Sequence, residues 1–484
     1  MLSRPVAVAL AAAALCFLYF HGLADTGLQS VDEPRYASVG RDMAASGDWI
    51  TPRLWGEVWL EKPPLLYWAI AAATRFGLRG EWAARLPVAL MAAGFLVFFW
   101  TRLREFAGEQ AAWASAAILG TSVGWMAYGS VAVTDIPTAV FFATAMLLVM
   151  PWAHGEGVSP GAAAVAGASL GMAILAKALL PVALALPVLW WGRRRWRELG
   201  VSITAMVAVA APWYAAAWMR HGWELIDVLF LRHQLDRFFR AEAEVLHPGP
   251  FWYYVPVILA GLLPWTPLAG AVRREDWRDP AVRYCASLAV FGVLFLSASS
   301  GKLPGYALPL MPFVAAVLGI AAHRAGPLLL GGVGALAFAL TLAVASVPEA
   351  IEYGIGRAPL PSAWAAAVAA TLLAAGTLAL RRAPAQKRLV AVAIVVAAAT
   401  AWQKHELARA LEDNVSARKE WVRVEREIGG RPVCENWLRR QWVYGFNYYR
   451  GSALERCADP PPEDKVRLEA DPDTGRTVVA PPLR

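Results

Sequence analysis

Asp32, Glu33 and Arg35, followed by Glu61 and Lys62 ahead of Pro63 and Pro64, fall in one polar stretch, SVDEPRYASVGRDMAASGDWITPRLWGEVWLEKPPLLYWAIAAATRFG. Trp49, Trp55, Trp59, Tyr67 and Trp68 are interleaved with these charges. Such a mixture suits a reaction on a phosphate-bearing lipid. Lys and Arg hold an anionic phosphate. A carboxylate takes a proton from an incoming hydroxyl, or stabilises positive charge developing on a sugar ring. The two prolines fix where the lysine emerges. Taken singly, the charges also fit a solvated face against lipid headgroups. Acids and bases gathered in one loop favour the chemistry.

The elements that must position these residues are membrane helices. Of the 484 residues, 58% are hydrophobic and 17% charged, and the mean hydropathy is +0.44. Soluble proteins carry about 25% charged residues, so the chain reads as an all-α polytopic membrane protein. About thirteen apolar runs approach the roughly 20 residues that a span needs: near 4–23, 86–101, 109–127, 136–153, 160–176, 178–191, 199–218, 251–271, 281–298, 304–322, 326–347, 363–380 and 388–402. Around Lys177 the pattern fits one long helix or two. Residues 1–23 are read as the first span rather than a signal peptide, because no small-x-small cleavage site follows.

The net charge of +8 invites a nucleic-acid partner, but its placement argues for membrane topology. Arg102, Arg104, Arg193, Arg194, Arg195, Arg197, Arg273, Arg274, Arg278, Arg381, Arg382, Lys387 and Arg388 sit in short turns on one side, the cytoplasmic side by the positive-inside rule. Lys177, Lys302 and Arg357 break that pattern. The polar segments 24–85, 220–250 and the tail fall on the outer side. Residues 1–402 thus read as a transmembrane domain and 403–484 as a small outer C-terminal domain. Within the first outer loop, Asp32–Ser46 and Pro64–Phe76 have the spacing of amphipathic juxtamembrane helices.

Three motifs in order, VDEPRYA, LEKPPLLYW and SGKLPGYALPLMP, with HPGPFWYY between the last two, resemble the bacterial polyprenyl-phosphate sugar transferases of the GT-C fold. The likeness is to the lipid A aminoarabinose transferases and protein O-mannosyltransferases, over roughly residues 1–320. It implies an inverting glycosyltransferase in the bacterial inner membrane. The sugar would pass from a polyprenyl (undecaprenyl) phosphate to a lipid A-type lipid or a protein at the periplasmic face. The family's key acid matches Asp32, followed by Glu33. The resemblance further implies that Lys62 and Arg35 hold the carrier phosphate, that Glu61 joins them, and that Lys302 and Tyr306 close over the donor headgroup.

Other residues have two readings. Asp135, after Thr134 and before Pro137, suits a helix N-cap and first turn, while the family has an acid in this outer loop. Lys177 could reach the interface by snorkelling, or contact the carrier phosphate as the family's lysine would. His233 and His247 flank the second outer loop and, with Glu61, have ligand types that suit a divalent cation, yet their spacing is not that of a metal motif. The run Leu225–Phe239 reads as interfacial, with Arg232, Arg237 and Arg240 toward lipid phosphates. An oxidising outer compartment would allow a Cys434–Cys457 disulfide. Cys16 and Cys285 fall in spans as packing residues.

No nucleotide cofactor is called for, and no Gly-rich phosphate loop is present. The rival class is a transporter or flippase of lipid-linked sugars. That class keeps its ionisable residues near the bilayer midplane and is often built from inverted repeats, and neither pattern is visible here.

Overall fold

A chain in lipid satisfies its backbone N–H and C=O groups within each segment, so long apolar runs fold as helices. The computed structural model describes residues 4–235, 248–347, 350, 363–458, 465–471 and 476–480. Helix dominates it. In the first half of the chain lie α1 (Arg4–Phe20), α2 (Asp32–Ser46), α3 (Leu65–Arg75), α4 (Gly80–Gly120), α5 (Val123–Gly129), α6 (Asp135–Leu148), α7 (Pro160–Lys177), α8 (Leu180–Leu184), α9 (Pro187–Trp191) and α10 (Trp196–His221). Further helices span Tyr254–Gly261, Pro280–Ala298, Met311–Ala321, Pro327–Ala343, Ala363–Arg382, Ala385–Asn414, Ala417–Ile428 and Arg440–Arg450.

Among the described residues, six helices are long and apolar enough to cross a membrane: Gly80–Gly120, Asp135–His154, Pro160–Lys177, Trp196–His221, Pro280–Ala298 and Pro304–Arg324. Shorter apolar helices cover Val8–Phe20, Phe251–Gly261 and Pro327–Ala343. Thirteen regular helices of spanning length are therefore not found there, and two segments show why. A straight 41-residue α4 would run about 60 Å, twice the roughly 30 Å hydrocarbon layer. Gly108, at φ 81° and ψ 168°, breaks it into two helices, as the separate apolar runs 86–101 and 109–127 require. Residues 178–191, expected as one span, form instead the two five-residue helices α8 and α9, each beginning around a proline that cannot continue a preceding helix.

Close packing depends on small residues where helices cross. A Cβ on Gly167 of α7 would stand 1.9 Å from the Ser202 carbonyl oxygen of α10. In the core, buried aromatic residues find partners for their polar tips. Tyr19 Oη donates to Gly120 O at 2.9 Å, Tyr284 Oη to Met146 O at 2.7 Å, and Trp265 Nε1 to Thr121 Oγ1 at 2.8 Å.

The bundle has two unlike ends. At one, Arg102 reaches Leu147 O, Arg195 reaches Gly155 O, and Arg324 pairs with Asp276. At the other, residues 24–85 meet the tail. Here α2 and α3 pack together beside a two-stranded hairpin, β1 (Arg53–Leu54) and β2 (Glu57–Val58). Its two turn residues, Trp55 and Gly56, both have positive φ, 53° and 94°, the combination a tight hairpin turn demands.

The tail adds a feature the sequence reading did not anticipate, a three-stranded sheet. Its strands are β3 (Val433–Asn436), β4 (Val466–Ala470) and β5 (Thr477–Ala480), with β3 parallel and β5 antiparallel to the central β4. Trp421, Val424, Trp442, Phe446 and Leu468 form an apolar cluster of their own there. Cys434 and Cys457 are joined by a disulfide.

Candidate active site

Residue types already fix much of α2. Asp32 and Glu33 occupy its first turn, where the positive end of the helix dipole favours acids, and Gly47 closes it in the left-handed conformation at φ 72°. The two adjacent carboxylates then point to different worlds. Asp32 is 46% exposed and pairs with Arg35 one turn on, whereas the Glu33 side chain is 0% exposed.

Glu33 is saturated. Its Oε1 accepts from Arg85 Nε at 2.7 Å and Ala132 N at 2.9 Å, and its Oε2 from Arg85 Nη2 and Gln29 N, both at 2.8 Å. Arg85 in turn donates to the carbonyls of Leu23, Thr26 and Gly27. No face of Glu33 is left for a substrate. The catalytic role expected of it is therefore corrected to a structural one, fixing the loop in front of Asp32.

Arg35 sits at the centre of the exposed half. It bonds Asp32, donates Nε to Val31 O at 3.1 Å, and holds Nη1 3.7 Å from Glu61 Oε2. Its guanidinium lies 5.2 Å from the Trp59 ring, 5.9 Å from Tyr36 and 5.3 Å from Tyr444, within cation–π range. Burial alone would lower its pKa, but Asp32, Tyr36 and Glu61 outweigh that and raise it. Lys62, half-buried, follows Glu61 directly and precedes the two prolines that lead into α3.

A second ionic pair lies across the site. Lys177 ends α7 and donates Nζ to Asp135 Oδ1, the first residue of α6, at 2.6 Å, and its ammonium stands 4.4 Å from the Tyr306 ring. The cap expectation holds in position, with Thr134 as N-cap and Asp135 in the first turn of α6, but not in its hydrogen bond. Thr134 makes no side-chain cap bond, and the acid is engaged by the lysine. One helix or two around Lys177 is also settled: α7 stops there because Ala178 takes φ 51°, ψ −129°, a backbone region that L-residues rarely adopt. Gly305 allows the pair to sit where it does, since a Cβ there would lie 2.3 Å from Asp135 Oδ1 and 2.9 Å from Tyr128.

Tyr36 feels the acids of both pairs. Burial pushes its phenol well up, Asp32 and Tyr67 push the same way, Arg35 opposes, and Asp135 adds to the rise. Lys302 is buried just ahead of the Pro304–Leu310 turn that carries Tyr306, its ammonium donating to Ser299 O. Gly249 lies against its stem, where a Cβ would stand 3.1 Å from Lys302 Cδ and 3.3 Å from the Tyr253 ring.

Of the second outer loop, Arg232 pairs with Asp227 at 2.6 Å, in a π-type helix over Ile226–Leu235. The His233 side chain, and His247, Arg237, Arg240 and Arg357 altogether, lie outside the described residues. Glu61 stands beside Arg35.

Sequence reasoning missed the tail's part in the site. Tyr444 approaches Arg35 and packs 5.4 Å from Trp55. Arg41 of α2 donates to Tyr448 O at 2.9 Å, and Tyr449 Oη to Glu81 at 2.8 Å. The aromatic run YGFNYY on one short helix was the available signal.

Residues 61–218 match the family described as dolichyl-phosphate-mannose-protein mannosyltransferase. An undecaprenyl phosphate-α-4-amino-4-deoxy-L-arabinose arabinosyl transferase from Edwardsiella ictaluri (strain 93-146) is 33% identical over 294 residues, 57% of this chain and 52% of that protein. One named as a second such transferase in Sodalis glossinidius (strain morsitans) is 31% identical over 72% of this chain and 65% of its own length. The chain thus spans between about half and two thirds of the length of these curated relatives. The crystal structure of ArnT from Cupriavidus metallidurans bound to undecaprenyl phosphate superimposes with a TM-score of 0.76 at 23% identity, covering 98% of this chain and 94% of that one. Helical architecture with membrane-spanning elements and this superposition give the multi-pass membrane protein the GT-C fold of its structural neighbour, and over part of its length its sequence is similar to the aminoarabinose transferases and the protein mannosyltransferase family.

Proposed function

We propose that the chain is an inverting glycosyltransferase. It moves a sugar from a polyprenyl phosphate to a lipid A-type lipid or a protein at the periplasmic face of the inner membrane. The observation that carries this reading is the half-exposed Asp32, bonded to Arg35 beside Glu61 and Lys62. The names of the relatives point to undecaprenyl phosphate-linked aminoarabinose as the donor to try first.

In the transfer, the bond from the anomeric carbon to the carrier phosphate oxygen breaks while the acceptor oxygen attacks the opposite face. The leaving phosphate gains negative charge. Arg35 and Lys62, aided by Lys177 and Lys302, supply the positive charge that stabilises it. Tyr306, beside Lys177, closes over the sugar. If the acceptor is a hydroxyl, Asp32 takes its proton. If it is a phosphate, already a nucleophile, Asp32 positions it or answers the charge developing on the ring. Glu61 orients Arg35.

The same reading takes residues 1–402 as the transferase domain and 403–484 as a periplasmic one, with the arginine-rich turns cytoplasmic. Transport of a lipid-linked sugar is less well supported, because Asp135 and Lys177 sit at helix ends rather than mid-span.

The test uses purified protein, an undecaprenyl-phosphate sugar, and lipid A or peptide acceptors. Transfer by the wild type should fall about a hundredfold to ten-thousandfold in Asp32→Asn. Equal transfer by the variant removes Asp32 from the mechanism.

A further inference from the structure

A second cluster lies at the end of α1, outside the transfer chemistry. His21 continues the helix, its N–H donating to Phe17 O at 3.1 Å and its ring stacked 4.7 Å from Phe17. Gly22, at φ 71°, then turns the chain, and Asp25 N donates back to Gly22 O at 3.2 Å. From the far end of the sequence, His405 on the Ala385–Asn414 helix brings its ring to 6.5 Å from that of His21. One ligand atom from each of His21, Asp25 and His405 lies within 4.8 Å of the others.

We propose that His21, Asp25 and His405 form a binding site for a divalent transition metal of the zinc class, clipping the first helix to the helix that leads into the tail.

Three observations support it. Two imidazoles and one carboxylate are a zinc ligand set, with a fourth position left for water. The three side chains border a cavity of about 10 Å³, roughly the space of a single water-sized species. The framework around them is tied already. Lys404 donates to Leu18 O at 2.7 Å, and Arg418 to the carbonyls of Ala24 and Asp25 at 3.0 Å each, so the ion does not have to assemble its own site. Ligand atoms around tetrahedral zinc stand about 3.3 Å apart. His21 and Asp25 are exposed and can close that gap by side-chain rotation. Lys404 borders the same cavity, and Asp25 answers its charge; that accounts for the acid but for neither histidine.

The test takes the full-length chain, purified in detergent with its tag removed and stripped with a chelator, and titrates it with cobalt(II) alone. The wild type should take up an equivalent of cobalt with the visible ligand-field absorption of a four-coordinate site, displaced by zinc. His21→Gln and His405→Gln should each lose that equivalent while keeping the metal-free melting temperature. Zinc should raise the melting temperature of the wild type and not of the double variant. No cobalt spectrum in the wild type, or the same spectrum and uptake in the double variant, overturns the proposal. Should either glutamine variant fail to fold, Asp25→Asn provides the comparison, with the same loss of the equivalent expected.

Discussion

Arg85 grips Glu33 with two parallel bonds, Nε to Oε1 at 2.7 Å and Nη2 to Oε2 at 2.8 Å, with both side chains out of solvent. The remaining guanidinium hydrogens bind the carbonyls of the loop that enters α2. This one side chain therefore sets both the start of α2 and the direction in which Asp32 emerges. A buried carboxylate stripped of its partner costs about 3–5 kcal/mol. Arg85→Ala should lower the melting temperature sharply. Arg85→Lys should recover little, because an ammonium cannot make the two-pronged contact. Melting curves in detergent decide it, and a wild-type melting temperature in Arg85→Ala would refute the structural role of Glu33.

How much of this could be read beforehand follows from where the partners lie. The helices over Asp32–Ser46 and 64–76 were legible because acids, apolar periodicity and a closing glycine are all local. The pairing of Glu33 with Arg85 was not, since 52 residues separate them and any of several acids could have been chosen. Asp135 illustrates a local signal that is right but incomplete: the Thr134 and Pro137 pattern does place the helix start there, but it does not show that a lysine brought by α7 takes the carboxylate. In 178–191, composition gave enough apolar residues for a span, while two prolines cut the helix into short pieces. Tyr444 stayed hidden because nothing in the tail's sequence says which surface it covers.

Asp135 and Lys177 should behave as a unit. Removing either alone leaves an unanswered charge in a nearly buried place, at a cost approaching about 3 kcal/mol. Lys177→Met should therefore destabilise more than Asp135→Asn with Lys177→Met. If Lys177 also touches the carrier phosphate, the double variant regains melting temperature but not transfer. Additive losses of stability in the two single variants would show that the pair is not coupled.

Gly305 makes a sharper steric claim. Its backbone conformation is not the left-handed one, so alanine is excluded by space alone, by the Asp135 oxygen at 2.3 Å and Tyr128 at 2.9 Å. Forcing a methyl group into a packed place costs about 1–3 kcal/mol, and the Asp135–Lys177 pair has to move. Gly305→Ala should lower both melting temperature and transfer, and Gly305→Val should lower them further. Unchanged values in the alanine variant would mean that the turn can step aside.

The pair of Asp48 with Arg220, at 2.7 Å, ties the first outer loop to the end of α10. Burial alone would raise the carboxyl's pKa, but hydrogen bonds from Ile50 N, Thr51 N and Arg220 outweigh it and hold the group below its ordinary 3.8. The unfolded chain then binds the proton more readily than the folded one. The resulting stability is fully present above the unfolded value and is lost as pH falls through the folded one. Being partly exposed, the pair is worth under about 1 kcal/mol. Asp48→Asn should lower the melting temperature slightly at neutral pH, and the difference from wild type should vanish at pH values well below about 3.8. A difference that persists there would assign the effect to packing.

Tyr444 adds to the aromatic surround of Arg35, its ring 5.3 Å from the guanidinium, as Trp59 is at 5.2 Å. The contact is worth about 0.5–2 kcal/mol, spent on holding the arginine in one orientation beside Asp32 and Glu61. Loss of the ring should therefore weaken donor binding more than turnover. Tyr444→Ala should raise KM for the lipid-linked sugar severalfold with a smaller change in kcat, and Tyr444→Phe, which keeps the ring, should stay near wild type. Melting temperature separates this from simple loosening of the tail, whose core residues Trp421, Trp442 and Phe446 lie apart from Tyr444. If Tyr444→Ala lowers melting temperature and leaves KM alone, the residue fastens the tail to α2 and does nothing for Arg35.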